Sequence, residues 1–151
     1  MIAVPQPEAL VVDANLFVQL IVEEPASAAV DAFLFEQHKT DRLVAPSILA
    51  SEAAAAITKK MRRREISLQS AKSAFASIRE SMTDGTFELL PANDFLDEAF
   101  SLSLTLHHPL HDCLYLAVAK RLALPFATRD KVLALKAQKA GIDAELVGTG
   151  R

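Results

Sequence analysis

The sequence has few of the residues that several kinds of functional site require. Among its 151 residues are one cysteine, four glycines and no tryptophan. A single cysteine excludes an intramolecular disulfide framework and any zinc site built mainly on thiolates. Three of the four glycines follow residue 140, which excludes a glycine-rich phosphate loop or a dinucleotide-binding fingerprint.

Long apolar runs and a strong excess of positive charge are also missing. The longest apolar run near the start, residues 9–22, is interrupted by Asp13, Asn15 and Gln19 and falls short of the roughly 18 uncharged residues of a membrane span. The net charge of −3 argues against a generic basic nucleic-acid binder. We therefore expect a single soluble domain over residues 1–151, frayed at 1–8 and 148–151, without a membrane partner. The lone thiol fits a cytoplasmic location.

Short apolar segments alternate along the chain with segments of helical periodicity. Strands are predicted at residues 9–12, 42–45 and 125–127, and more weakly at 86–90 and 144–147. Helices are predicted at residues 26–37, 47–64, 68–82, 94–106, 112–124 and 131–140. This alternation predicts an α/β fold with a parallel sheet covered on both faces. The aromatic residues expected in its core are Phe17, Phe33, Phe75, Phe100 and Phe126.

Three aspartates stand at predicted ends of strands or starts of helices. Asp13 ends the first strand, and Asp130 follows the strand at 125–127. Both should lie at the carboxyl edge of the sheet, where open parallel sheets bind ligands. Asp112 opens the helix that precedes the second of these strands. Aspartate is also a favoured helix N-cap, and capping is the better explanation of each residue taken alone.

Glu52 is an unusual residue in an apolar helical segment. Its one-turn neighbours are the apolar residues Ile48, Leu49, Ala55 and Ala56. No cation on its own helix is therefore placed to pair with it. Such a carboxylate either projects from a narrow solvent-exposed stripe or enters a site that compensates its charge. If the four acids converge, their repulsion favours the binding of a cation, and oxygen ligands favour Mg²⁺ or Mn²⁺.

A dense basic run follows Glu52 on the same predicted helix. It consists of Lys59, Lys60, Arg62, Arg63 and Arg64. Part of this charge complements the helix dipole. At about 1.5 Å per residue, the run lies roughly 10–18 Å from Glu52, a distance that suits a groove holding the phosphates of a nucleic acid. We therefore predict that this run, called the basic run below, positions such phosphates.

A second candidate metal cluster consists of His107, His108, His111 and Cys113. His107 and His111 are four residues apart, a spacing that places two zinc ligands on one face of a helix. Pro109 lies between them and makes a continuous helix unfavourable. We therefore expect a loop whose histidines are solvated or cap a helix, with zinc binding as the less favoured alternative.

Three segments together resemble the PIN-domain nucleases, and among these the VapC-like toxins of bacterial type II toxin–antitoxin pairs. They are LVVDANLFVQL (10–20), APSILASEAAAAI (45–57) and HHPLHDCLYLAVAKRLALPFATRDKVL (107–133). The resemblance spans most of the chain and preserves the order of the four acids. It departs from the family pattern at His111 and Cys113, and neither departure removes an acid.

This resemblance implies a three-layer α/β/α sandwich with a short parallel central sheet, and Mg²⁺- or Mn²⁺-dependent endoribonuclease activity. The implied catalytic, metal-binding pocket is formed by Asp13, Glu52, Asp112 and Asp130. Asp13 and Asp112 would be the principal ligands, and Asn15 and Thr128 would orient the carboxylates. The implied partners are an RNA substrate, a small cognate antitoxin and a second copy of the chain. With RNA as the substrate, we expect the basic run, Lys59, Lys60, Arg62, Arg63 and Arg64, to bind and position RNA. The alternative is a non-catalytic module of the same fold that binds RNA or protein.

Overall fold

The computed structural model describes residues 9–22 and 42–148, and within them five parallel strands form one sheet. The strands are β1 Ala9–Val12, β2 Arg42–Pro46, β3 Phe87–Leu90, β4 Phe126–Thr128 and β5 Ala144–Leu146, in the spatial order β3-β2-β1-β4-β5. The central strand β1 pairs with β2 on one side and with β4 on the other. The predicted α/β fold with a short parallel central sheet is confirmed.

Six α-helices connect or flank these strands in the described residues. They are α1 Ala14–Ile21, α2 Leu49–Arg62, α3 Leu68–Thr83, α4 Leu96–Leu106, α5 Leu110–Leu122 and α6 Lys131–Lys139. All four residues of β1 are buried, and because successive strand side chains point to opposite faces, both faces of the sheet are covered at its centre. None of the helices in the described ranges is long and apolar enough to cross a bilayer.

Two helices begin where helical periodicity does not place a start. Helix α1 follows Asp13 directly, as the capping explanation of Asp13 predicts, although the apolar residues of the helix continue those of the strand. Helix α5 begins at Leu110, after Pro109. Proline suits a helix start because its fixed φ matches the helix and its missing N–H is not needed there. The prediction that Asp112 opens this helix is therefore wrong, and Asp112 lies within the first turn.

The core is centred on β1, β4 and α5. Leu10, Val11, Leu116 and Phe126 have no exposed surface, and Phe17 is also buried. The prediction for two other aromatic residues is wrong, because Phe75 on α3 and Phe100 on α4 are 48% and 57% exposed. Helical spacing identifies residues that share a face but not the width of the face that a neighbour covers. Phe33, the helix predicted at 26–37, and the ends 1–8 and 149–151 lie outside the described residues.

Candidate active site

The parallel pairing of β1 with β4 places the residues that follow these strands at one edge of the sheet. Val12 of β1 lies opposite Ala127 of β4, so Asp13 and Thr128 are neighbours. The Thr128 hydroxyl donates a hydrogen bond of 2.5 Å to Asp13 Oδ2. The other oxygen, Asp13 Oδ1, accepts the Leu16 N–H at 2.9 Å and caps α1. Asp13 therefore caps α1 with one oxygen and binds a residue of the neighbouring strand with the other.

Asp130 is anchored to the same edge through Thr128. Its backbone N–H donates to the Thr128 hydroxyl oxygen at 3.0 Å. Its carboxylate accepts the Leu133 N–H at 3.1 Å and caps α6. The buried Thr128 hydroxyl thus joins the residues that cap two helices, and it holds both at the carboxyl edge of the sheet.

Three of the four predicted acids line one small cavity. The cavity has a volume of about 90 Å³ and is lined by Asp13, Ala14, Asn15, Glu52, Asp112 and Tyr115. Asn15, predicted to orient carboxylates, is thus at the cavity, whereas Asp130 is not among its lining residues. The structure therefore brings together acids from the end of β1, from α2 and from α5, with Asp130 beside them.

Glu52 enters this cavity from the first turn of α2. Its side chain is 26% exposed, and its Oε2 lies 3.8 Å from His111 Nδ1. Burial raises the pKa of Glu52, the nearby negative charge of Asp112 adds to this effect, and Tyr115 and His111 oppose it. Of the two positions open to a glutamate on an apolar helix, Glu52 takes the one inside a site rather than on a solvent-exposed stripe.

Burial dominates the electrostatics of Asp13. It raises the pKa of this carboxyl from its usual 3.8 to about 6, even though the Thr128 hydroxyl and the Leu16 N–H both stabilise the charged form. The negative charges of Asp112 and Asp130 contribute to the increase. The cavity therefore concentrates negative charge that the described residues do not neutralise.

Tyr115 is a residue of the cavity that the sequence pattern does not single out. It is fully buried, and its hydroxyl forms no hydrogen bond of ordinary length and angle within the described residues. Burial and the charge of Glu52 raise the pKa of Tyr115, so the phenol stays protonated. Asp112 and Tyr115 are three residues apart on α5 and share a helix face, which is the signal that predicts this placement.

His108 is a second residue whose role the sequence does not predict. Its side chain is only 8% exposed, and its Nε2 lies 2.7 Å from Asp112 Oδ2. The expectation that the histidines of this segment are solvated or cap a helix is therefore wrong for His108. The reason is that the chain turns back at His107, whose φ is 51°, and at Pro109, so that the His108 ring faces the first turn of α5.

The zinc alternative finds no support in the placement of the other candidate ligands. His111 is 68% exposed and faces Glu52, while Cys113 is buried and its sulfur faces the His108 carbonyl oxygen. Burial raises the pKa of Cys113 to about 11, which keeps the thiol protonated at neutral pH. The four residues do not converge on one point.

The acidic cavity offers oxygen donors to a divalent cation. In residues 9–22 and 42–148, no three His, Cys, Asp or Glu side chains are close enough to form a ready-made metal site. The donors nevertheless suit a hard cation, because the carboxylate oxygens of Asp13, Glu52 and Asp112 line one cavity and their charges repel one another. Mg²⁺ usually retains several waters and takes one or two protein carboxylates, so it does not need a closed cage.

The basic run lies at the opposite end of α2 from the cavity. Glu52 is in the first turn of this helix, whereas Lys59, Lys60 and Arg62 are in its last turn and Arg63 follows it. Lys59, Arg62, Arg63 and Arg64 are exposed. One helix thus carries an acid into the cavity and presents cations at its far end.

Comparisons with known proteins identify the fold and the family of the chain. No curated protein matches the chain in sequence. The fold is similar to that of PAE2754 from Pyrobaculum aerophilum (22% identity, TM-score 0.62, covering 86% of this chain and 85% of that one). It is also similar to that of VapC20 from Mycobacterium tuberculosis, a sarcin-ricin loop cleaving toxin (18% identity, TM-score 0.63, covering 89% and 96%). Residues 10–139 match the PIN domain, and the chain therefore belongs to the PIN domain family.

Proposed function

We propose that this protein is a metal-dependent endoribonuclease that cleaves RNA phosphodiester bonds. The observation that carries the proposal is the convergence of Asp13, Glu52 and Asp112 on one cavity at the carboxyl edge of the sheet. Membership of the PIN domain family and the similarity to a toxin that cleaves the sarcin-ricin loop support it. Four grouped carboxylates would be an unfavourable arrangement in a purely structural module, because like charges repel.

In this mechanism Asp13 and Asp112 would be the main residues to hold Mg²⁺ or Mn²⁺, and Glu52 and Asp130 would complete the acidic pocket. The bound ion would supply an activated water for attack on the phosphorus and would neutralise charge on the phosphate. Thr128 fixes the Asp13 carboxylate through Oδ2. With a pKa of about 6, Asp13 is mostly ionised at neutral pH and able to bind a cation.

Two uncharged side chains have supporting roles at the cavity. The protonated Tyr115 hydroxyl is placed to donate a hydrogen bond to Glu52 or to a water in the cavity. Asn15 lies in the first turn of α1, next to Asp13, and its exposed amide is placed to orient a carboxylate or to contact RNA. Together these groups hold the acids and the scissile phosphate in a fixed arrangement.

The activity is tested by following cleavage of end-labelled single-stranded and structured RNAs. We expect cleavage with Mg²⁺ or Mn²⁺, loss of cleavage in excess chelator, and recovery when Mn²⁺ is restored. Glu52→Gln should reduce the rate strongly, because it removes a charge from the pocket without changing the size of the side chain. Cleavage that continues unchanged in excess chelator would contradict the proposal. RNA binding without cleavage under all these conditions would favour the non-catalytic alternative.

We further propose that the basic run holds RNA phosphates at the far end of α2, away from the cavity, so that the bound strand extends from the run to the acids. The double variant Arg62→Glu, Arg63→Glu should weaken RNA binding about 10-fold or more at low salt and flatten its salt dependence, because fewer counterions are released. Arg64 is left unchanged, because its φ of 60° makes that position sensitive to substitution. Lys139→Glu, at the exposed end of α6, is the matched control and should have little effect. Equal loss in both proteins would contradict a specific role for the run.

We also propose that the protein is a cytoplasmic toxin paired with a small antitoxin, and that it forms a homodimer. The resemblance to VapC-like toxins and the exposed apolar side chains Phe75, Phe100 and Leu104 support protein partners. Co-expression with the small protein encoded by the neighbouring reading frame should yield a stable complex and relieve any growth arrest. Light scattering should report a dimer of the isolated chain. A monomer that captures no such protein would contradict this part of the proposal.

A further inference from the structure

Asp112 is anchored differently from Asp13 and Asp130, the two aspartates at the ends of the strands. Asp13 and Asp130 each accept an N–H from the helix that they cap, those of Leu16 and Leu133. Asp112 lies inside the first turn of α5 and caps no helix. Its side chain is also 37% exposed. An aspartate in this position needs a partner from another part of the chain to hold one rotamer.

A chain of three polar side chains supplies that partner. His108 Nε2 lies 2.7 Å from Asp112 Oδ2, and His108 Nδ1 lies 3.3 Å from Lys136 Nζ. Lys136 Nζ also donates to the His107 carbonyl oxygen at 3.0 Å. Lys136 lies on α6, the helix that Asp130 caps, and it is 28 residues from His108. The chain of contacts therefore joins the Asp130 side of the site to the Asp112 side.

The contact with Lys136 determines which nitrogen of the His108 ring donates a hydrogen bond and which accepts one. An ammonium group has only donors, so the His108 nitrogen that faces Lys136 must accept. His108 Nε2 is therefore the ring nitrogen that donates its proton to the Asp112 carboxylate. The contact of Nδ1 with Lys136 thus selects the tautomer that the bond from Nε2 to Asp112 requires.

The backbone of His108 is held as firmly as its ring. The Ser103 hydroxyl donates to the His108 carbonyl oxygen at 2.6 Å, and the His108 N–H donates to the Ser103 carbonyl oxygen at 3.2 Å. These two bonds fasten the turn after α4 to the helix itself. The imidazole therefore approaches Asp112 from a fixed position rather than from a mobile loop.

We propose that His108 and Lys136 are positioning residues that hold the Asp112 carboxylate in the orientation required for binding a divalent cation. This inference rests on the proposed function, because it assigns Asp112 a cation to bind. A carboxylate fixed through one oxygen presents the other in a defined direction. Partners of this kind tune metal sites, and their loss typically lowers metal affinity about 10- to 100-fold.

The tautomer is measured without any metal. Long-range ¹H–¹⁵N correlation spectra of the metal-free protein at neutral pH should show His108 protonated at Nε2 and unprotonated at Nδ1. In Lys136→Met this preference should weaken, because the group that requires an acceptor at Nδ1 is gone. A single proton found at Nδ1 rather than at Nε2 in the unmodified protein would overturn the assignment.

The role toward the cation is measured by the affinity for Mn²⁺, determined by titration calorimetry or by electron paramagnetic resonance. A glutamine amide nitrogen lies near the place of His Nε2, and an asparagine amide nitrogen near that of Nδ1. His108→Gln should therefore keep most of the affinity, whereas His108→Asn should weaken it about 10-fold or more. Lys136→Met should weaken it several-fold.

Two matched controls accompany these variants. His107→Asn makes the same change one residue earlier, at an exposed side chain in a left-handed conformation that asparagine tolerates. Lys139→Met removes an exposed cation from the same helix as Lys136. Both controls should bind Mn²⁺ as the unmodified protein does. Circular dichroism of each variant shows whether it is folded.

The outcomes separate this inference from the proposed function. If the unmodified protein binds Mn²⁺ and Asp112→Asn abolishes binding, the metal site stands. Unchanged affinity in His108→Asn, or equal losses in His108→Gln and His108→Asn, would then overturn the positioning role alone. If the unmodified protein binds no Mn²⁺, the metal site and the role assigned to His108 fail together.

Discussion

Asp13 and Asp84 accept nearly the same hydrogen bonds in two different regions of the molecule. Asp13, at the sheet edge, accepts the Thr128 hydroxyl and the Leu16 N–H. Asp84, in the turn between α3 and β3, accepts the Thr86 hydroxyl and the Thr86 N–H. The Thr86 hydroxyl lowers the pKa of Asp84, whereas burial raises that of Asp13 to about 6.

The difference shows that hydrogen-bond geometry alone does not identify a functional carboxylate. Asp84 is exposed, so water solvates its charge and the two bonds add to that solvation. Asp13 is buried beside two other acids, and the same kind of bonds only partly offset the loss of water. A carboxylate kept in such a place at a cost in stability is a candidate for function.

The largest expected effect is the difference in RNA cleavage between variants of these two aspartates. Asp13→Asn keeps the size and capping ability of the side chain but removes the charge that would bind a cation. We expect RNA cleavage to fall on the order of 10²-fold or more. Asp84→Asn, the matched control, should cleave RNA at the rate of the unmodified protein. Similar rates in the two variants would remove the functional distinction between the two regions.

The next effect concerns the pH dependence of stability. For Asp13 the sign of this dependence is the opposite of that for most aspartates, whose pKa is lowered by folding. The folded protein raises the pKa of Asp13, so this residue contributes stability that is fully present below pH 3.8 and is lost as the pH rises through about 6. Between pH 4 and pH 7 the free energy of unfolding of metal-free Asp13→Asn should therefore rise by about 2–3 kcal/mol relative to the unmodified protein.

Chemical denaturation in chelator at several pH values measures this difference. For Asp84 the sign is opposite, because its lowered pKa gives stability that is present above its ordinary pKa and lost as the pH falls. Asp84→Asn should therefore lose stability relative to the unmodified protein at neutral pH and regain it in acid. Parallel pH profiles of the two variants would contradict the assignment of opposite pKa shifts.

The sequence predicts the part of the site that depends on strand ends. Asp13 and Asp130 follow strands whose parallel direction is implied by the alternation of strands and helices, so their place at one edge of the sheet is predictable. Their proximity depends on the pairing of β1 with β4, which the alternation does not give. Periodicity leaves Glu52 open between a solvent-exposed stripe and a site, because it does not show which flank of a helix a neighbour covers. The resemblance to PIN-domain nucleases implies the site, and the structure places Glu52 at the cavity.

The parts that sequence patterns do not reveal depend on contacts between distant segments. Lys136 reaches His108 across 28 residues, and nothing in their local sequences marks them as a pair. Pro109 correctly predicts a break between helices, but it does not show that His108 turns back toward Asp112. The start of α1 is difficult to place from hydropathy for another reason, because most residues of the buried strand and of the helix after it are apolar, and Asp13 alone marks the boundary as a helix cap.

The smallest expected effect is the difference in stability between variants of the two threonines, Thr128 and Thr86, whose hydroxyl groups donate hydrogen bonds to these aspartates. Thr128→Val preserves the shape of a buried side chain but leaves Asp13 Oδ2 and the Asp130 N–H without their partner. It should lower the free energy of unfolding by about 1–2 kcal/mol and raise the pKa of Asp13 further. Thr86→Val, in the exposed turn, should change stability by less than about 0.5 kcal/mol. Denaturant titration of both variants measures the difference, and equal losses would show that the turn and the sheet edge hold their aspartates with equal strength.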